Sequence, residues 1–249
     1  MSDKKTLIST NNLNKSFDKK AVLHDINFEI MSGECFGLLG PNGCGKTTLI
    51  NILCGMLPQT SGSVKIHGQD SSLYLEKHPR FIGLAPQEYA FYPSLTVREN
   101  CNWFATLYGF AGKKRRNRVE HCLEFSGLQE HADTPVVQFS GGMKRRANLA
   151  ITLVNEPKFL ILDEPTVNVD PQSRNMIFEM LAELKRKGTT MLYTTHYMEE
   201  AENLCDRVAI VDDGRVLECA SPQELIKMTS GAADLGDVFL SLTGHGLRD

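Results

Sequence analysis

The densest chemistry in this sequence runs from Gly40 to Thr48. Gly40-Pro41-Asn42-Gly43-Cys44-Gly45-Lys46-Thr47-Thr48 satisfies the spacing G-x-x-x-x-G-K-[ST]. Glycines let successive backbone N–H groups turn inward around an oxyanion. A helix opening at Gly45-Lys46 adds its positive end at the same point. A lysine so placed reaches the β- and γ-phosphates of a nucleotide, and the Thr47 hydroxyl can ligate Mg²⁺. Asp163-Glu164 closes the apolar run Phe159-Leu160-Ile161-Leu162. A carboxylate at such a strand end suits Mg²⁺, usually through water, and its neighbour can orient or deprotonate a nucleophilic water. Ser140-Gly141-Gly142 repeats the anion logic with a hydroxyl, two glycines and a helix start, although alone it reads as an N-capped helix.

Three single residues join this set by position. Gln87 follows the strand Arg80–Ala85 and could orient water or touch Mg²⁺; alone it is a surface glutamine. His196 ends the strand Thr189–Thr195, where it could contact a γ-phosphate; alone it is an ordinary polar residue. Phe17 stands before the strand at Ala21-Val22 and could stack on a base or be a half-buried aromatic. Cys44 lies in the phosphate loop beside a helix N-terminus, a place that lowers a thiol pKa. That predicts inactivation by alkylation; the alternative is a small residue that fits. The other cysteines are scattered, their total of seven is odd and no C-x-x-C occurs, so reduced thiols are expected rather than a disulfide framework or zinc site.

The elements that must carry these residues are legible as patterns. Phe36, Leu38 and Leu39 form a buried strand before the glycine loop, and Leu49, Ile50, Ile52 and Leu53 face a core from the helix behind it. Residues 6–35 read as strands broken by turns at Lys19-Lys20 and Ser32-Gly33-Glu34. Ser63–Gly68 is a short strand, and Val208–Val211 with Val216–Glu218 flank a hairpin turn at Asp213-Gly214. Strand signals stop over residues 88–139. There Thr96 and Glu99 form a capping box, Trp103, Phe104 and Leu107 share a helix face, and Lys113–Arg118 is a basic run. That run reads as a solvated face, with contact to lipid headgroups or RNA as the sharper alternative. Ser221-Pro222-Gln223-Glu224 starts another capped helix, and residues 234–249 form a short amphipathic docking piece.

The chain has 249 residues, of which 41% are hydrophobic, and a formal charge of −3. This is enough for one large α/β domain or two small ones, and it makes no overall electrostatic case for nucleic acid. No apolar run approaches the ~18–20 residues that span a bilayer, and the first residues hold no secretory apolar segment. The chain is therefore expected to stay in the cytosol.

In this order the pieces resemble the ATP-binding subunit of an ABC transporter over nearly the whole chain. Gly40–Thr48 resembles the Walker A loop, Gln87 the Q-loop glutamine, and Phe139–Met143 the signature. Phe159–Glu164 resembles Walker B with its catalytic glutamate, Asn168–Asp170 the D-loop, His196 the switch histidine and Phe17 the A-loop aromatic. Phe139 and Met143 depart from the usual LSGGQ, Phe17 from the commoner Tyr, and Asn168-Val169 from a small residue plus Leu. SGGMKRR, TTHYMEEAE and DVFLSLTG are similar to type-2 ABC exporters.

The resemblance implies a P-loop NTPase (RecA-like) α/β core with an antiparallel β subdomain and a helical ABC-specific subdomain. It implies one domain over 1–249: a nucleotide-binding core from 1–87 and 140–220, a helical subdomain at 88–139 and a helical tail at 221–249. The cofactors implied are ATP and Mg²⁺. Phe17, residues Gly40–Thr48, Gln87, Ser140, Gly141 and Gly142 would bind nucleotide, with Thr47, Gln87 and Asp163 around the metal. Lys46, Glu164 and His196 would act in catalysis. Two anion devices in one chain are expected to serve two nucleotides in a head-to-tail dimer, with itself or a paralogue. An integral membrane permease is the expected partner, met around Gln87–Leu95 and the helical insertion, with no nucleic acid partner. That places the chain at the cytoplasmic face of the cell membrane and favours export. A soluble ABC-type ATPase without a transport role is the alternative. Its ribosomal form usually has two cassettes and its DNA-repair form a long coiled coil, neither of which fits here. Intact Glu164 and His196 argue against a scaffold that binds ATP without hydrolysing it.

Overall fold

The computed structural model describes residues 5–18 and 20–244. The expected turn at Lys19-Lys20 and the expected tail therefore lie partly outside the described residues. The chain forms two compact units, one from the residues up to His78 with those from Gly188 onward, the other from Pro79–Lys187.

The first unit begins with β1 (Thr6–Phe17), β2 (Lys20–Met31), β3 (Cys35–Leu39), α1 (Lys46–Leu53), β4 (Ser61–Ile66), β5 (Gln69–Asp70) and α2 (Ser71–Lys77). Strands β2-β1-β4-β5 make an antiparallel sheet in that order. In β2, Leu23, Ile26, Phe28 and Ile30 are buried, the alternation of a sheet with one face on a core. The second unit holds β6 (Ile82–Ala85), α3 (Val97–Leu107), α4 (Gly112–Phe125), α5 (Gly141–Leu153), β7 (Phe159–Asp163) and α6 (Pro171–Arg186). The first unit resumes with β8 (Thr190–Thr195), α7 (Met198–Leu204), β9 (Arg207–Asp212), β10 (Arg215–Ala220), α8 (Pro222–Met228) and α9 (Leu235–Thr243).

In the first unit β3 runs parallel to β8 and β9, with Leu38 opposite both Thr194 and Ala209. All five residues of β3 are buried, which explains its unbroken apolar sequence. A strand covered on both faces has no polar side. The hairpin from β9 to β10 turns through Asp213 and Gly214, both left-handed. In the second unit β6 and β7 pair in parallel, with Ala85 opposite Leu162. Strand β7 is likewise buried throughout.

Helix starts follow local chemistry. Thr96 and Glu99 complete the capping box of α3, and Ser221 and Glu224 that of α8. Asp170 caps α6, whose first residue is Pro171. Helix α2 was not expected from the sequence. Asp70 creates it locally by accepting from the Ser72 and Leu73 N–H groups. Trp103 and Leu107 share a face of α3, but it is the exposed one. The helix buries Val97, Cys101 and Ala105 instead.

Candidate functional site

In the first unit β3 ends at Gly40, and the next residues wrap back toward the start of α1. Gly40 has no room for a side chain: a Cβ would lie 2.3 Å from the Val211 carbonyl oxygen and 2.6 Å from Cys44 Sγ. Gly45 is the N-cap of α1 at φ 106, a left-handed conformation, and offers no side-chain cap. The first-turn N–H groups of α1 thus receive no side-chain acceptor from the cap position, which suits an external anion. The Lys46 ammonium folds over the loop and donates to the carbonyls of Gly40 at 2.8 Å and Pro41 at 3.0 Å. Those bonds use two of its three donors. Asn42, Gly43 and Thr47 are exposed, and Thr48 is half-buried.

Cys44 differs from expectation. The thiol is buried, and burial pushes its pKa up more than the neighbouring Lys46 charge pulls it down. Proximity to a helix N-terminus is outweighed by desolvation. The small-residue alternative fits this geometry, and the activated-thiol expectation does not.

Phe17 ends β1 with its ring half-exposed and the Lys15 ammonium 4.9 Å from its centroid. His196 follows β8 and packs against Tyr197 at 4.3 Å. The turn that carries it is braced from below. Buried Glu200 on α7 accepts from the Tyr193 hydroxyl at 2.7 Å and the Thr195 hydroxyl at 2.8 Å. Thr195 Oγ1 in turn accepts from the Tyr197 N–H at 2.9 Å. Sequence reasoning missed Glu200. The available signal was its helical phase, four residues before apolar Leu204 and next to Ala201, both buried, within an otherwise acidic helix.

In the second unit Asp163 and Glu164 are both buried at the end of β7. Glu164 has φ 48, an uncommon conformation for a long side chain and a form of strain found at functional sites. Gln87 Nε2 donates to Glu164 Oε2 at 3.3 Å, so the structure brings these two expected site residues together. Arg145 on α5 clasps the same loop. It donates to the Gln87 carbonyl at 2.6 Å and lies 5.0 Å from the Tyr89 ring. Burial pulls its guanidinium below its ordinary range, opposed by the charges of Tyr89, Glu164 and Asp163. Asn148, one residue short of the next turn, donates to the Pro86 carbonyl at 3.2 Å. Arg145 and Asn148 were also missed. Arg145 lies three residues after Gly142 and four before Leu149, and Asn148 three after Arg145, so both fall on a buried side of α5.

Ser140 caps α5 by accepting from the Met143 N–H at 3.2 Å. Gly142 is tightly enclosed: a Cβ there would meet Ser173 Oγ at 2.0 Å and Asp170 Oδ2 at 3.1 Å. The signature turn is therefore packed on the start of α6, while Ser140 and Gly141 stay exposed. Phe139, the departure from the usual Leu, is buried with His131 edge-on at 6.3 Å.

The family model described as "ABC transporter" matches residues 23–167. The chain belongs to the ABC transporter family. It is 40% identical over 243 residues to the linearmycin resistance ATP-binding protein of Bacillus subtilis, covering 98% of this chain and 76% of that one. It is 43% identical over 217 residues to the Nod factor export ATP-binding protein I of Burkholderia thailandensis, covering 87% and 71%. A solved structure of an ATP-binding cassette, a dimer in a post-hydrolysis state bound to ADP and Pi, matches with TM-score 0.78 and 28% identity. It covers 86% of this chain and 98% of that one. This ABC subunit has the P-loop NTPase fold expected, with the antiparallel β and helical additions. It binds and hydrolyses ATP to power transport across a membrane. Among the described residues no helix is long and apolar enough to cross one, and the relatives give no support to a non-transport role.

Proposed function

We propose that this subunit drives export through a separate membrane permease, using residues that divide into two sets. Lys46 and the amides of Gly43, Cys44 and Gly45 hold the β- and γ-phosphates, joined by Gly40–Asn42 and Thr48 around the nucleotide. Phe17 stacks on the base. The observation that carries this reading is the start of α1, where a lysine is folded over a helix end that no side chain caps.

Thr47, Asp163 and Gln87 offer the oxygen donors that a hard cation such as Mg²⁺ takes, with water completing its shell. Thr47, an exposed residue in the first turn of α1, brings a hydroxyl that fits that demand. Bound there, Mg²⁺ would neutralise charge on the phosphates. Glu164 accepts the proton of the attacking water as general base, and Gln87 holds that carboxylate in place. His196 reads the γ-phosphate. Ser140, Gly141 and Gly142 serve a nucleotide held by a second subunit, either another copy or a paralogue, so that donors close around the transferring group. This makes residues 1–249 one ATP-binding domain in function.

Export is favoured because the Nod factor relative is named for it and because the SGGMKRR and TTHYMEEAE strings resemble type-2 exporters. Exposed Tyr89, Tyr92, Trp103 and Leu107 supply an apolar docking surface for the permease, with Tyr92 edge-on to Trp103 at 6.0 Å. The subunit then sits at the cytoplasmic face of the membrane. Glu164→Gln should lower ATP turnover by roughly 10²–10⁴ while ATP binding is kept. Steady-state hydrolysis with an ATP-binding titration checks this, and unchanged turnover would remove Glu164 from the role.

A further inference from the structure

Helix α4 breaks a local electrostatic rule. Acidic residues belong at a helix N-terminus, where the backbone dipole is positive. Helix α4 has none in its first turn, and its N-cap, Ala111, supplies no side-chain hydrogen bond. Lys113, Lys114, Arg115 and Arg116 crowd that positive end instead, in a chain whose formal charge is −3. Breaks in such local rules are expected at functional or strained sites.

Among the described residues no carboxylate pairs with these four cations. Arg115 donates to Thr106 Oγ1 at 2.9 Å, a neutral hydroxyl. Arg80 and Lys114 lie 5.0 and 5.2 Å from the ring of buried Phe110, two cations about one aromatic. Among the described residues the ion pairs are made by other side chains, and Lys113, Lys114 and Arg116 take part in none. Beside them lies an open surface groove of about 480 Å³, lined by Lys113, Lys114, Asn117, Arg118 and His121 of α4 and by Glu156. Arg118 is fixed there by the Val154 carbonyl at 3.2 Å and faces Glu156 at 3.8 Å. The one carboxylate of the lining is thereby committed, and the two lysines remain in excess.

The geometry points to a site for a phosphate-bearing anion at the end of this groove nearest the start of α4. Lys113 and Lys114 supply charge, Asn117 one turn on supplies an amide donor, and the uncapped helix start supplies its dipole. A phosphate carries enough charge on a compact group to answer both lysines and the helix end. The same chemistry is offered by the headgroup of an anionic phospholipid and by a soluble phosphate compound. None of these residues belongs to the ATP site proposed above, so the inference stands apart from that reading.

The test uses the full chain saturated with Mg-ADP, so that the loop at Gly40–Thr48 is filled. One arm measures co-sedimentation with vesicles of phosphatidylglycerol and phosphatidylcholine against phosphatidylcholine alone. The other titrates inorganic pyrophosphate calorimetrically. Wild type should bind in at least one arm. Vesicles alone identify the lipid source, pyrophosphate alone the soluble one, and both the phosphate group as such. Lys113→Glu with Lys114→Glu should weaken that binding by roughly tenfold or more, since each lysine near an anionic surface is worth about fivefold and two are lost. The same double variant should melt no lower than wild type, because acids replace cations at the helix start. If it fails to fold, Lys113→Gln with Lys114→Gln decides the matter by the same loss. Absence of wild-type binding to either probe at millimolar concentration overturns the site, as does binding that survives in the variant that folds.

Discussion

Cys44 shows how one residue answers to two opposed effects. The helix N-terminus and Lys46 favour the thiolate, but burial favours the thiol more strongly, and the pKa rises. Thiolate is the reactive form, so Cys44 should react slowly. Brief alkylation at neutral pH followed by peptide mass spectrometry should label half-buried Cys54 well before Cys44. Equal or faster labelling of Cys44 would contradict this account. Glu164 is the complementary case. Its left-handed backbone costs on the order of 1–3 kcal/mol, and the carboxylate it delivers to Gln87 is the return on that strain.

Elements position these side chains through residues that do no chemistry themselves. Helix α7 buries Glu200 so that one carboxylate oxygen receives two hydroxyls of β8, fixing the turn before His196. Glu200→Ala removes an acceptor from both Tyr193 and Thr195. A loss of about 2 kcal/mol is expected from such buried hydroxyls, or a fall in melting temperature of roughly 4–8 °C for a domain of this size. Calorimetry would check it, and an unchanged melting temperature would show the network to be dispensable. Helix α5 works in the same manner. Arg145 and Asn148 hold the carbonyls of Gln87 and Pro86, so the signature helix and the Gln87 loop are one mechanical piece within their unit.

At the scale of the whole molecule, the proposal requires two subunits. Each copy offers a Lys46 set and a Ser140 set, and a two-fold pairing lets one set of each face the other. Ser140→Arg and Lys46→Ala should each be nearly inert alone. Mixed together they should recover ATP turnover, because the mixed dimer joins one intact Lys46 to one intact Ser140. Hydrolysis measured on the separate and combined chains decides this. Failure to recover would mean that the two sets do not serve a shared site.

Sequence alone determined the features written in contiguous residues. The glycine loop, the buried strands β3 and β7, the capping boxes at Thr96 and Ser221 and the Asp163-Glu164 pair all follow from spacing, because local geometry fixes which groups meet. Tertiary structure alone decided which side of each helix is covered. That choice buried Arg145 and Glu200 amid polar strings, left Trp103 and Leu107 in solvent, and turned Cys44 from an activated thiol into a packed one. Burial depends on a partner surface distant in the chain, and desolvation, which that surface imposes, can overrule any charge read from neighbours in sequence.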